Sequence, residues 1–293
     1  MSKPIVAYAG LGLMGGPMAL HLARAGYQLH VWNRSRDKLQ PALDKGAIAA
    51  ATPRDAAQAA HVTLMCLMDW KAVEAVVFGK DGIAEAKGKG KVLVDHSSMR
   101  PDKTREFAQR LREANGMEWI DAPVSGGTVG AENGNLAIMC GADSVDAFEL
   151  AKPVLANYGA NINLMGTAGA GQVTKLCNQL LVGTTIAVIA EAVRLAQNSG
   201  VDAAMLPKAL AGGFADSKPL QVFGPRMVNG YTHNIGASTT MLKDLDTALD
   251  QARETGTPLP VSGLAAQLYR VLYARGVGEE EPTALVDLYK PVP

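Results

Sequence analysis

From residue 4 to about 164, short apolar runs alternate with amphipathic stretches. The runs are PIVAYAG, QLHVWN, HVTLMCL, KVLVDHS, EWIDAPV, LAIMCGA and NINLMG. They are short and rich in β-branched residues, as strands are. Between them lie segments with helical spacing, such as MGGPMALHLARAG and RPDKTREFAQRLREAN. Strand alternating with helix predicts a parallel sheet with helices on both faces. From residue 169 onward the strand signal stops. Helix follows helix, broken by Gly and Pro: GQVTKLCNQ…AQNSG, DAAMLPKALAGG, LQVFGPRMVNG, STTMLKDLDTALDQARETG and PVSGLAAQLYRVLYARG. The pattern predicts an α/β doubly wound domain over 1–164 and an all-α domain over 165–293. No repeat or low-complexity segment interrupts either half.

The first helix of the second half poses a chemical question. GAGQVTKLCNQLLVGTTIAVIAEAV opens with Lys175 and Asn178 one turn apart. Gln172 and Gln179 share their face, while Leu176, Leu180 and Gly183 lie opposite. A lysine near a core is costly unless it is paired or used. The apolar run Leu180–Val193, interrupted by Thr184, Thr185 and Glu191, reads as a core helix too short and too polar to span a bilayer. Composition narrows the partners further. With 28 basic and 28 acidic residues and no run of either sign, the chain offers no nucleic-acid footprint. Cys66, Cys140 and Cys177 form no Cys-x-x-Cys pair and read as reduced core thiols of a cytoplasmic protein, neither a disulfide framework nor a metal site. The N-terminal stretch has a lysine before apolar residues, but glycines at 10, 12, 15 and 16 break the helix that a signal peptide needs.

Those glycines have a better use. Gly10-Leu11-Gly12-Leu13-Met14-Gly15 follows one strand and opens a helix. A dinucleotide site needs glycine there for a tight turn, for close approach of the pyrophosphate and for helix–strand packing. The pyrophosphate then meets the helix N-terminus. About 20 residues on, an NAD site presents an acid to the ribose. Here stand Asn33, Arg34 and Ser35, with no acid before Asp37. An arginine suits a 2′-phosphate, so NADP(H) is expected, with NAD(H) the alternative; ordinary solvated loop charge is the competing account of Arg34 and Arg36. Leu67 and Met68, and then Ser97 and Ser98, follow two further strands at the edge where ligands bind. Ser97 or Ser98 reads equally well as a helix cap. His96 reads as structural.

DAPVSGG, Asp121 to Gly127, ends another strand. Ser125, Gly126 and Gly127 offer a hydroxyl and exposed amides, able to cup a small carboxylate or simply to turn the chain. With Lys175, Asn178 and Gln179 they are the substrate-side candidates. Lys175 is either paired to a carboxylate or a proton donor to a carbonyl oxygen.

GLGLMGGPM, DAPVSGG, GAGQVTKLCNQ and KDLDTAL, in this order and across essentially the whole chain, resemble the β-hydroxyacid dehydrogenases, the family of 3-hydroxyisobutyrate dehydrogenase and the tartronate, glyoxylate and succinic semialdehyde reductases. The resemblance implies a Rossmann domain joined by a long helix to a helical domain that interlocks in a homodimer or homotetramer. It implies Lys175 as general acid/base, Asn178 positioning the substrate, Ser125–Gly127 binding its carboxylate, and Lys243 reaching toward the cofactor. The substrate would be a small hydroxy or aldehyde acid. WNRS resembles the NADPH-using members. STT before Met241 brings little aromatic material, leaving Phe214, Phe223 and Tyr231 as sources. Two other readings share the glycine loop: an imine reductase, and a non-catalytic dehydrogenase-like module. Relatives of both kinds tend to lack the lysine that stands here at 175.

Overall fold

The computed structural model describes residues 3–290. Two compact units appear, Met1–Lys175 and Leu176–Pro293. The first holds strands β1 (Val6–Ala9), β2 (Leu29–Trp32), β3 (Ile48–Ala49), β4 (Val62–Met65), β5 (Val92–Asp95), β6 (Glu118–Asp121), β7 (Val124–Ser125), β8 (Leu136–Ala142) and β9 (Gly159–Gly166). Its helices are α1 (Gly15–Arg24), α2 (Gln40–Leu43), α3 (Pro53–Ala59), α4 (Trp70–Phe78), α5 (Pro101–Asn115), α6 (Gly127–Glu132) and α7 (Val145–Leu155).

Strands β3-β2-β1-β4-β5-β6 are all parallel and lie in that order, the order of dinucleotide-binding sheets. The central strands are buried on both faces, so they read as continuous apolar runs. Val6, Tyr8, Leu64, Val94 and Ile120 feed one core, Met65, Leu93 and Trp119 the other. The sheet is not wholly parallel as expected. β8 runs antiparallel to β6 and β7, and β9 pairs parallel to β8 on its other side. β6 and β7 are one line along β8, broken at Ala122-Pro123; Met139 N still bonds to Pro123 O across the break (3.1 Å). The break re-aims the chain at the DAPVSGG turn.

The second unit is helical: most of α8 (Ala170–Asn198), then α9 (Leu206–Leu210), α10 (Lys218–Asn229), α11 (Ser238–Thr255) and α12 (Pro260–Ala274), followed by a 3₁₀ turn, Pro282–Tyr289. Ile186, Ile189, Ala190 and Val193 pack with Leu245, Tyr269, Leu272 and Leu285. Gly183 is small because Met241 and Leu245 lie 3.0–3.3 Å from where a Cβ would sit. Buried Glu281 accepts hydrogen bonds from Arg226 and from Ile235 N (2.7 Å), fixing the loop that leads into α11.

α8 corrects one expectation. It runs over 29 residues, with a mean hydropathy of 1.6 in its most apolar window, so by length and composition it is able to span a bilayer. It is also less enclosed than a core helix. Leu181, Val188 and Leu195 are 71, 57 and 70% exposed, spaced seven apart on one stripe.

The first turn of α8 belongs to the first unit for a visible reason. Asp121, at the end of β6, accepts from Gly169 N (2.7 Å) and Gln172 N (2.8 Å). A buried carboxylate thereby caps the helix and meets its positive end. Gly171 permits the approach: a Cβ there would lie 2.3 Å from Met139 O.

Candidate active site

The carboxyl ends of β1 and β4 mark the point where strand order reverses, the place where open α/β sheets bind ligands. The glycine loop lies there. Gly10 has φ +91°, and a Cβ on it would meet Cys66 O at 2.4 Å. A Cβ on Gly15 would meet Gly10 O at 2.0 Å. Both glycines are demanded by the protein's own packing. Gly12 is not: no atom lies within 4 Å of its would-be Cβ. Nothing among the described residues forbids a side chain at Gly12. A pyrophosphate approaching the backbone would, so the cradle fits a dinucleotide. Leu13 and Met68, 83 and 87% exposed, flank this edge as apolar surface without a protein partner for most of their area.

The end of β2 sorts the polar candidates. Asn33 Oδ1 accepts from Leu11 N (2.9 Å), and its Nδ2 donates to Ser35 O (2.8 Å). Its amide thus ties the glycine loop to the next turn, a role the sequence did not reveal. Arg36 donates to Ala50 O and Ala51 O, each at 2.7 Å, and so anchors the chain beyond β3. Arg34 is exposed and makes no hydrogen bond or ion pair among the described residues. Of the two arginines, Arg34 is the one with no donor committed among the described residues. Ser35 is exposed beside it.

At the end of β5, Ser97 is not a cap. Its Oγ accepts from Leu67 N (2.9 Å), its N–H donates to Asp95 Oδ1 (2.8 Å), and Arg100 occupies the N-cap of α5. His96 is buried and held on both nitrogens, by Ala122 O (2.6 Å) and Tyr158 OH (2.8 Å). With Nδ1–H donating to the carbonyl, the Tyr158 hydroxyl donates to Nε2. Burial holds the imidazole neutral, its pKa lowered to about 4. It is structural, as read.

The DAPVSGG turn and Lys175 meet within the first unit. Lys175 is half-buried, and its Nζ donates to Val124 O (2.9 Å), one residue before Ser125. Gly126 (φ +134°) and Gly127 (φ +64°) follow in conformations closed to most side chains, both exposed. His21 Nε2, on the glycine-loop helix α1, lies 3.1 Å from Ala131 O and 3.0 Å from Glu132 O, at the far end of α6. The helix that starts at Gly127 is thus fixed at its other end.

The helical unit carries its own polar chain. Asn178 Nδ2 donates to Gln179 Oε1 (2.8 Å), Gln179 Nε2 to Asp244 Oδ2 (2.6 Å), and Lys243 Nζ lies 3.1 Å from Asp244 Oδ1. Asp244 is buried and orders the other three; the sequence placed it only beside Lys243. Gln172, read on the same open polar face, is instead buried at 1% exposure and bonded to Ser97 O and Met99 N. Of the three aromatic candidates, Phe214 is fully exposed, Phe223 packs into the helical core, and Tyr231 stacks on Arg226.

A glycine cradle at the switch point of a 3-2-1-4-5-6 sheet, followed by a helical unit, defines a nicotinamide-nucleotide oxidoreductase. Residues 5–166 match the NAD-binding domain of 6-phosphogluconate dehydrogenase, and residues 169–289 match the NAD-binding domain of NADP-dependent 3-hydroxyisobutyrate dehydrogenase. The chain is 39% identical over 284 residues to 2-hydroxy-3-oxopropionate reductase of Escherichia coli, covering 96% of this chain and 95% of that one. It is 36% identical to a probable mitochondrial 3-hydroxyisobutyrate dehydrogenase of Dictyostelium discoideum, covering 98 and 91%. A crystal structure of 3-hydroxyisobutyrate dehydrogenase from Salmonella typhimurium superposes with a TM-score of 0.85 at 29% identity, over 97 and 99% of the two chains. An imine reductase from Pseudomonas sp. shares the fold more distantly, at a TM-score of 0.62 and 20% identity. The chain belongs to the β-hydroxyacid dehydrogenase family. It is an NAD(P)-dependent oxidoreductase acting on CH–OH groups.

Proposed function

We propose that this enzyme interconverts a small aldehyde acid and its hydroxyacid with NADP(H), using Lys175 as the general acid and base. The observation that carries the reading is the Lys175–Val124 hydrogen bond. It holds an ammonium at the Val124–Gly127 turn, the one turn of this strand end with a hydroxyl and two exposed glycines in succession. The dinucleotide, when bound, supplies or accepts the hydride. Gly10 to Gly15 and the α1 N-terminus hold its pyrophosphate, and Leu67, Met68 and Ser97 line the strand ends beside it. Ser125 with the amides of Gly126 and Gly127 receives the substrate carboxylate. Asn178, oriented by Gln179 and Asp244, holds the substrate for the lysine. Lys175 donates its proton to the carbonyl oxygen in reduction and takes the hydroxyl proton in oxidation. Fixing these groups beforehand supplies much of the rate.

The preference for NADP(H) rests on Arg34, an available cation where an NAD site would place an acid. Arg34→Ala is expected to raise KM for NADPH about tenfold or more, the loss of a charge-assisted pair, and to leave NADH use unchanged. Arg36→Ala is expected to lower stability without moving the NADPH/NADH ratio. Equal effects of Arg34→Ala on both nucleotides would overturn the assignment.

The Leu181–Val188–Leu195 stripe supports a homo-oligomer, since seven-residue spacing on one helix suits a second copy. Cys66, Cys140 and Cys177 are free thiols and support a reducing, cytoplasmic setting, although Cys177 is exposed on α8 and not the core thiol expected of it.

The test is turnover of NADPH and NADH with glyoxylate, succinic semialdehyde, methylmalonate semialdehyde, tartronate semialdehyde and a cyclic imine. Reduction of one aldehyde acid, with NADPH preferred, is the expected result. Reduction of the imine alone would sink it.

A further inference from the structure

We propose that Gln172 is a positioning residue that registers the catalytic helix against the nucleotide-binding strand ends, and so sets where the Lys175 ammonium stands. The inference rests on the acid–base reading of Lys175.

Gln172 is buried, and every polar atom it has is used. Its side-chain Oε1 accepts from Met99 N (3.1 Å) and its Nε2 donates to Ser97 O (2.7 Å), so one amide brackets the turn after β5. Ser97 in turn receives Leu67 N at the end of β4. The backbone N–H of Gln172 is held by Asp121 at the end of β6. Lys175 lies one helical turn further on and reaches Val124 O, at β7. Four strand ends thus close on the first turn of α8, and Gln172 is the side chain that joins β5 to it. A helix start fixed only by Asp121 has a pivot. A second fixed point, on a different strand, removes the rotation and slip that would carry Lys175 off its mark. A shift of about 1 Å at a reacting group costs on the order of a hundredfold in rate.

Two variants test this. Gln172→Met keeps the shape and removes both side-chain bonds. It is expected to lower kcat about 10- to 100-fold, with the Kd for NADPH and KM for the aldehyde acid within about threefold of the parent. Gln172→Glu keeps the acceptor for Met99 N and has a donor for Ser97 O only when protonated. The groups around it are Asp121 and Asp95 at the ends of β6 and β5, Lys175 on its own helix, and neutral His96. Its kcat deficit, relative to the parent at each pH, is expected to shrink as pH falls and the carboxyl protonates, while that of Gln172→Met stays constant. This pH signature also serves if Gln172→Met does not fold. Unchanged kcat in Gln172→Met with a lowered Tm would overturn the proposal and leave Gln172 a packing residue. Loss of NADPH affinity in step with kcat would overturn it as well, assigning Gln172 to the nucleotide. Lys175→Met in the same assay separates the two levels: if that variant turns over normally, the acid–base reading has failed, and if it is inactive while Gln172→Met is normal, only the positioning role has.

Discussion

Lys175→Met is expected to turn over about 10²- to 10⁴-fold more slowly than the parent enzyme, the range that a positioned general acid or base contributes. The substitution keeps an unbranched, flexible side chain, one atom shorter, and removes the ammonium with its proton and charge. The residues assigned to the nucleotide, Gly10 to Gly15 and Arg34, follow β1 and β2, whereas Lys175 bonds Val124 at β7. NADPH affinity, read by quenching or calorimetry, is therefore expected to stay within about threefold. The substitution leaves Val124 O without this donor, a cost of about 1–3 kcal/mol if the carbonyl stays dry. Because the site is half-buried, water can replace the lost bond and the Tm should fall little. The decisive result is a kcat collapse with NADPH binding retained. Turnover within tenfold of the parent would mean that another group moves the proton and that Lys175 is structural.

What the sequence could and could not disclose follows from the range of each interaction. β1, β4 and β5 were legible because both faces of each are buried, so hydrophobicity persists along the run; β2 alternates between buried and half-buried residues and was still legible as a strand. β3 was not, being two exposed residues at a sheet edge, Ile48 and Ala49. The glycine loop was legible because its spacing is local, although the reasons differ: Gly15 answers to Gly10 beside it, and Gly10 to Cys66 O at the end of β4. The Gln172 bonds were not, since they reach 73 and 75 residues back along the chain. Helical periodicity placed Gln172 on the face of Lys175 and Asn178, correctly as an angle. It gave no hint that at the first turn of α8 this face meets a strand end, where a glutamine is consumed by backbone. Asn33 shows the same limit on a shorter scale. Its position at the end of β2 marked it for a nucleotide, yet its amide turns inward to Leu11 and Ser35. Arg34 gains meaning only by difference, once Arg36 is seen to be spent on Ala50 and Ala51.

The second large effect lies under the site, at Asp95. This carboxyl is buried, with Oδ1 accepting from Ser97 N and, among the described residues, no partner on Oδ2. Burial pushes its pKa from 3.8 to about 7 against the hydrogen bonds from Ser97, and the charge of neighbouring Asp121 adds to the rise. A folded pKa above the unfolded one means that the folded protein holds the extra proton. The stabilisation is complete below about pH 4 and is lost as pH rises through 7. Between those limits the slope is about 1.4 kcal/mol per pH unit. Asp95→Asn keeps the acceptor for Ser97 N and cannot ionise. Relative to that variant, the parent is expected to lose about 3 kcal/mol of stability between pH 5 and pH 8, nearly all of it below pH 7. His96 works in the opposite sense. Its lowered pKa makes acid costly, with stability lost as pH falls from 6.5 toward 4. Asp121, pushed up to about 6 by burial against the amides of Gly169 and Gln172, works in the same sense as Asp95. Both are present in parent and variant, so the difference between the two proteins reads Asp95 together with its coupling to Asp121. Unfolding in urea at pH 5, 6, 7 and 8 reads it directly. Curves that run parallel would show that Asp95 is ionised throughout and that its charge is already met inside the fold.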